Sequence, residues 1–213
     1  MTNTCDENFD LSTLIKSCAT IPTSIISDNL DRYPGFVGLT PWHGNKKLIG
    51  IARTVQTRAG DNLAIHKALN EAMPGEVLVV DGGQDESRAL VGGIMMEIAI
   101  HRGVAGFIID GAIRDISAFK SANFPCFARS VIHRGPYKFG PGVSQVNVVI
   151  GGTSVAPGDL IIGDEDGALA VSPVVANAIL SKLYSQKQRE EQAVESIRNG
   201  TYVGSYGAIK NST

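Results

Sequence analysis

Apolar residues along the chain recur in two rhythms, short β-branched runs and longer stretches of helical spacing, and their succession predicts an α/β fold in which strands and helices alternate. Leu48 to Thr57 is β-branched and partly alternating, and the Gly60-Asp61 pair then opens a helical pattern that runs to Ala72. Pro74-Gly75 breaks the chain. Glu76 to Asp81 and Val104 to Asp110 are apolar runs of the kind found in strands covered on both faces. Between them, Asp81-Gly82-Gly83 predicts a turn and residues 87 to 102 a mostly buried helix. A short helix carrying Ile116 and Phe119 and a strand over Pro125 to Val131 continue the alternation.

Outside this centre, residues 11 to 32 predict two short helices forming an N-terminal cap, the second opening at Pro22-Thr23. His133 to Val143 holds three Gly and two Pro, too punctuated for a regular element, and reads as a loop of the kind that lines sites. Val146 to Ile150, Leu160 to Ile162 and Ala168 to Val171 predict three short strands joined by Gly-containing turns. Ser172-Pro173 supplies an N-cap and first-turn proline for a long surface helix reaching about Asn199. With 213 residues and neither repeat nor linker, a single domain over 1–213 is expected.

Charge narrows the functional classes. A formal net charge of -2, with Lys and Arg scattered, provides no basic field for a polyanion, so nucleic acid is not an expected partner. The first residues lack a basic and apolar leader pattern, and no apolar stretch approaches the roughly 20 residues of a membrane span, so no membrane association and a cytoplasmic location are expected. Cys5, Cys18 and Cys126 lack paired spacing and read as reduced thiols. There is no Gly-x-Gly-x-x-Gly or Walker pattern for a nucleotide.

The candidate chemistry lies in Gly92-Gly93-Ile94-Met95, at the start of a helix, and in Arg114-Asp115, just after the next strand. Loops at the carboxyl ends of neighbouring parallel strands gather on one rim, which brings the two segments together. Glycines at a helix start let an anion approach free backbone amides, Arg114 adds a bidentate grip, and Asp115 offers a hard oxygen to Mg²⁺ or Mn²⁺. The plainer alternative is close helix packing at the glycines and a local Arg114–Asp115 ion pair capping the following helix.

Other residues carry weaker signals. His43, His66, His101 and His133 lack metal-ligand spacing and read as structural or solvated, with His133, beside the Gly/Pro loop, the one to test as a proton carrier. Glu97 interrupts an apolar helical pattern and is expected at an interface. Asp61 reads as a helix cap. Lys67, Lys120 and Lys138 sit in polar surroundings unsuited to a Schiff-base lysine.

Gly-Asp-Asn-Leu at residue 60, Ala-Leu-Val-Gly-Gly, Val-Ala-Gly-Phe-Ile-Ile-Asp-Gly-Ala-Ile-Arg-Asp and Val-Ala-Pro-Gly-Asp-Leu-Ile-Ile-Gly-Asp-Glu-Asp-Gly follow in one order. Together, over roughly residues 20 to 175, they resemble the RraA-like family, whose core is a glycine, twenty intervening residues and Arg-Asp, as in Gly93 and Arg114-Asp115 here. The family includes class II 4-hydroxy-4-methyl-2-oxoglutarate and 4-carboxy-4-hydroxy-2-oxoadipate aldolases, some with oxaloacetate decarboxylase activity, and RraA regulators of ribonuclease E. The resemblance implies a swivelling β/β/α-type fold assembled as a homotrimer or dimer of trimers, with pockets between subunits. It implies that Arg114 binds a small 2-oxo acid, that Gly92, Gly93, Ile94 and Met95 hold its carboxylate through backbone groups, and that Asp115 holds a divalent Mg²⁺ or Mn²⁺. The expected activity is lyase cleavage of a C–C bond with release of pyruvate; the alternative is a non-catalytic regulator of a ribonuclease. Several aldolase members carry Asp at the position of Gly93, and another subgroup an acidic residue at that of Ala118, so a supporting carboxylate is sought in Asp85, Glu86 or another subunit.

Overall fold

The computed structural model describes residues 10–32, 35–204 and 207–208. Two short helices, α1 (Leu11–Ala19) and α2 (Thr23–Asp28), precede the sheet, and Asp10 caps α1 by accepting the amides of Ser12 and Thr13. The strands are β1 (Thr40–Pro41), β2 (Leu48–Thr57), β3 (Glu76–Val91), β4 (Gly106–Ile113), β5 (Cys126–Val131), β6 (Gly142–Ser144), β7 (Val148–Ile150), β8 (Thr153–Val155), β9 (Leu160–Asp164) and β10 (Gly167–Val171). Helices α3 (Leu63–Glu71), α4 (Gly93–His101) and α5 (Ile116–Ala122) cross between the central strands, and α6 (Pro173–Arg198) follows β10.

The main sheet runs β1-β5-β4-β3-β2-β9-β10, with β6 added against the end of β2. Strands β2 to β5 are parallel, as crossover helices require, while β1, β6, β9 and β10 pair antiparallel. All eight residues of β4 are buried, because α3, α4 and α5 cover one face and the β7–β8 hairpin packs toward the other. On the helical face Phe107 meets Phe119 and Phe124 edge-on, ring centres 6.3 and 5.1 Å apart. A third cluster joins α1, α2 and α6 to β9 and β10, with Leu14, Ile26, Ile162 and Leu183 at its centre. This is the α/β class, with helices at the N-terminus and a long one at the C-terminus, that the patterning predicts.

Three departures matter for the site. The predicted turn at Asp81 does not end β3, which continues to Val91 through register shifts, with Gly83 and Gln84 at positive φ. It continues because β4 also runs past Asp110 to Ile113, giving the buried Ala89 and Val91 partners in Ala112 and Ile113. Helix α4 therefore begins at Gly93 rather than near residue 87. It buries Met95, Met96 and Ala99 and leaves Glu97 exposed in the chain. The predicted strand at Val146–Ile150 shortens to β7, which pairs with β8 apart from the main sheet.

Candidate active site

Because β3 and β4 are adjacent and parallel, their carboxyl ends deliver Gly92 and Arg114 side by side, and the Arg114 amide donates to the Val91 carbonyl at 3.1 Å. A cleft of about 110 Å³ opens there, lined by Val91, Gly92, Ile94 and Met95 from the α4 start, by Arg114 and Asp115, and by Asn62, His66, Pro136 and Lys138 from the other wall.

Helix α4 presents an anion-binding start. Met96 donates back to the Gly92 carbonyl, and the Gly93 amide donates to Asp115 Oδ2 at 2.9 Å. In this first turn the amides of Ile94 and Met95 have no intrahelical acceptor, and Gly92 has no side chain to offer them. A Cβ on Gly92 would stand 2.7 Å from Asp115 Oδ2 and 3.0 Å from Arg114 Cγ, so glycine is favoured here by contact rather than by backbone angle, and a side chain would displace the Asp115 carboxylate. At Gly93 the nearest atoms would lie 3.6 Å away, which is ordinary packing.

Asp115 adopts the left-handed conformation, φ 61° and ψ 38°, which costs energy in a non-glycine residue and is held here by its surroundings. The turn aims its carboxylate back to α4: the local ion pair of the plainer sequence alternative is present, but no side-chain bond caps α5. Arg114 Nε is 3.7 Å from Asp115 Oδ2, with the two side chains 42% and 52% exposed, so the pair is open to a ligand. Asp115 Oδ1 has no hydrogen bond among the described residues. A hard oxygen with one free lone-pair face fits Mg²⁺ or Mn²⁺, which commonly take few protein carboxylates and fill the remaining positions with water and substrate oxygens. Among the described residues there is no group of three His, Cys, Asp or Glu that could hold a metal, and neither Asp85 nor Glu86 lines the cleft. Asp85 instead receives the amide and hydroxyl of Ser87.

The opposite wall is built on Asp61. Its carboxylate, fully buried, accepts the amides of Leu63 at 2.9 Å, Phe139 at 2.6 Å and Gly140 at 3.0 Å. Burial pushes its pKa upward, yet these amides and Arg58 outweigh burial and hold it below the ordinary carboxylate value. Asp61 is thus more than a helix cap: it fastens the 133–143 loop to the start of α3. Next to it, Asn62 donates to the Leu90 carbonyl at 2.9 Å and leaves Oδ1 as a buried acceptor without a partner among the described residues. Arg88 clamps the same loop, donating to Gly135 O and Tyr137 Oη while stacking 4.0 Å from the Tyr137 ring centre.

The structure therefore brings Gly92, Gly93, Ile94, Met95, Arg114 and Asp115 together. His66 rather than His133 lines the cleft, and His43 is bound to Cys126 backbone groups elsewhere. Asn62, His66, Pro136 and Lys138 escaped the sequence reading as site residues. The signals for them were the Gly-Asp-Asn-Leu segment and the Gly/Pro-rich loop at 133–143, and no local pattern reveals that the two meet. Lys138, alone of the three lysines considered, reaches the cleft, and it is exposed rather than desolvated.

Comparison with known proteins bears on the family and the fold. A protein of Halalkalibacterium halodurans, provisionally named a 4-hydroxy-4-methyl-2-oxoglutarate aldolase, is 43% identical over 180 residues, 83% of this chain and 84% of that one. An uncharacterized protein from Pseudomonas syringae pv. tomato superposes with a TM-score of 0.84 at 26% identity, covering 95% of this chain and 96% of that chain. The RNA-processing inhibitor RraA from Thermus thermophilus superposes with a TM-score of 0.65 at 30% identity, over 70% of this chain and 92% of its own. The family model described as RraA-like, Aldolase/RraA, matches residues 23–170, so the chain belongs to the RraA-like family.

Proposed function

We propose that this protein is a divalent-metal-dependent lyase that cleaves a C–C bond in a small 2-oxo acid and releases pyruvate, as a 4-hydroxy-4-methyl-2-oxoglutarate aldolase, an oxaloacetate decarboxylase or both. The observation that carries the reading is the convergence of the Arg114 guanidinium, the free Ile94 and Met95 amides and the Asp115 carboxylate in one cleft. The two amides and the α4 dipole hold the substrate carboxylate. Arg114 orients the 2-oxo group and offsets the negative charge that gathers on its oxygen as the bond breaks. Asp115 would hold Mg²⁺ or Mn²⁺, which supplies electron withdrawal from the 2-oxo acid when bound. Exposed apolar side chains beside the cleft, Ile94 at 77% and Phe139 at 79%, favour an interface there, in keeping with a homotrimer or dimer of trimers with sites between subunits.

Coupled pyruvate assays with oxaloacetate and 4-hydroxy-4-methyl-2-oxoglutarate test this directly. Activity that requires Mg²⁺ or Mn²⁺ and falls with Arg114→Ala is expected; activity indifferent to both chelator and variant sinks the reading. Likeness to the Thermus RraA, together with the single carboxylate in the cleft, favours one alternative, a regulator that binds a ribonuclease. Retention of a ribonuclease E fragment by a chain devoid of lyase activity would select it.

A further inference from the structure

The far end of α6 carries an arrangement that the cleft does not use. Of the 26 residues in this helix, the side chains that join the core, Ala176, Ile179, Leu180 and Leu183, all lie in the first half. Beyond Lys187 nearly every side chain is exposed, and the helix is held by its own hydrogen bonding, helped by contacts such as Gln186 with Glu190 at 2.8 Å. A helix end supported in this way opens and closes readily.

The helix stops in a Schellman turn. Asn199 caps it at φ -85° and ψ -2°, and Gly200 takes φ 67°, a value that glycine adopts without the cost a side chain would bring. The Gly200 amide donates to Ile197 O at 3.1 Å and the Thr201 amide to Ser196 O at 2.9 Å, the two bonds that define the motif. The turn thus favours glycine at 200, and Asn199 is the one asparagine of the chain that glycine follows. Its side chain is exposed and makes no hydrogen bond among the described residues. With no Cβ on residue 200, nothing screens the Gly200 nitrogen from the side-chain carbonyl carbon of Asn199.

We propose that Asn199-Gly200 is a self-modification site, with water as its co-reactant, whose products weaken or abolish the turn that ends α6. The proposal is independent of the lyase reading. When the last turn opens, the Gly200 nitrogen gives its proton to solvent and attacks Asn199 Cγ. The new C–N bond closes a five-membered succinimide as the Cγ–Nδ2 bond breaks and ammonia leaves. Water then opens the ring at either carbonyl, giving aspartate or isoaspartate, so the net change is one water consumed and one ammonia released. While the turn is closed the Gly200 amide is committed to Ile197 O, which makes opening the gate. Aspartate places a negative charge at the negative end of the helix dipole, one turn from Glu195. Isoaspartate lengthens the main chain by a methylene, and the two turn bonds lose their register. Reversible fraying is thereby converted into lasting damage to the last turn.

The test is incubation of the full-length protein in mildly alkaline buffer, followed by peptide mapping and labelling with an isoaspartyl methyltransferase. Conversion at Asn199 is expected to be at least about tenfold faster than at the exposed Asn45 and Asn177, which residues with side chains follow. It should quicken further in urea, where the turn is open. Asn199→Gln, whose longer side chain forms the corresponding ring poorly, should stay intact and keep the amide exchange rates of Gly200 and Thr201. In Asn199→Asp, exchange at these two amides should rise by about threefold, and in the isoaspartate fraction of the aged protein by more. Conversion at Asn45 or Asn177 ahead of Asn199, or no conversion, overturns the site. A rate in urea no higher than in the folded protein overturns the gate. Conversion that leaves exchange at Gly200 and Thr201 unchanged overturns the damage to the turn.

Discussion

The Oδ2 atom of Asp115 accepts the amide of Gly93 at 2.9 Å, tying the turn after β4 to the first turn of α4. One carboxylate oxygen thus organises the cleft while the other stays available, and the two roles are separable. Asparagine keeps an acceptor for Gly93 and tolerates the positive φ of this position, whereas alanine does neither. Under the metal-dependent reading, Asp115→Asn is expected to melt close to wild type while Mn²⁺ affinity, read by calorimetry, falls by at least about a hundredfold, more than loss of an outer partner costs. Asp115→Ala should lose melting temperature as well.

The two glycines at the start of α4 make opposite predictions. Gly92→Ala drives a methyl group into Asp115 and Arg114, an overpacking expected to cost about 1–3 kcal/mol in chemical denaturation. Gly93→Ala, with room at 3.6 Å, should change stability by less than about 1 kcal/mol. The same room admits Gly93→Asp, which adds a second hard oxygen near Asp115 and should tighten Mn²⁺ binding.

Asp61 predicts an acid-sensitive strap. Its folded-state pKa lies below the ordinary 3.8, so its stabilisation is complete above the unfolded-state value and is lost as pH falls through the lower folded-state value. Asp61→Asn, which leaves buried amides of the loop poorly paired, should destabilise by about 2 kcal/mol at pH 7. The gap in melting temperature between wild type and variant should hold from pH 7 to about pH 5 and close below about pH 4. A gap unchanged at pH 3 would contradict the assignment.

Arg88 acts on the loop without lining the cleft. Arg88→Ala removes two hydrogen bonds and the stacking on Tyr137, so amide exchange across residues 135–141 should accelerate by about tenfold with a small change in melting temperature. Under the lyase reading, KM should rise more than kcat falls.

Much of the fold could be read from periodicity because β2, β4, β5, β9 and β10 are buried runs bounded by Gly or Pro, and α1, α2 and α6 announce their starts. The second half of β3 could not. Ala89-Leu90-Val91 is a three-residue apolar run that fits strand or helix equally, and only the extension of β4 to Ile113 decides between them. Strands β1 and β8, two and three residues long, are too short to make a pattern and exist through their partners. At the site, Gly93 and Arg114-Asp115 were legible because adjacent parallel strands place their ends together by rule. His66 and Lys138 were not, since their meeting depends on Asp61 reaching across seventy-odd residues to loop amides.

The cleft draws its two walls from different kinds of chain. Arg114 and Asp115 stand where a fully buried strand ends, so almost any change beneath them disturbs the core. Lys138 rides on a surface loop fastened mainly through main-chain groups, which nearly any side chains leave intact. A lineage could therefore rewrite residues 133–141 and reshape one wall of the cleft while inheriting the Arg114–Asp115 wall unaltered, which suits the scaffold to diversification.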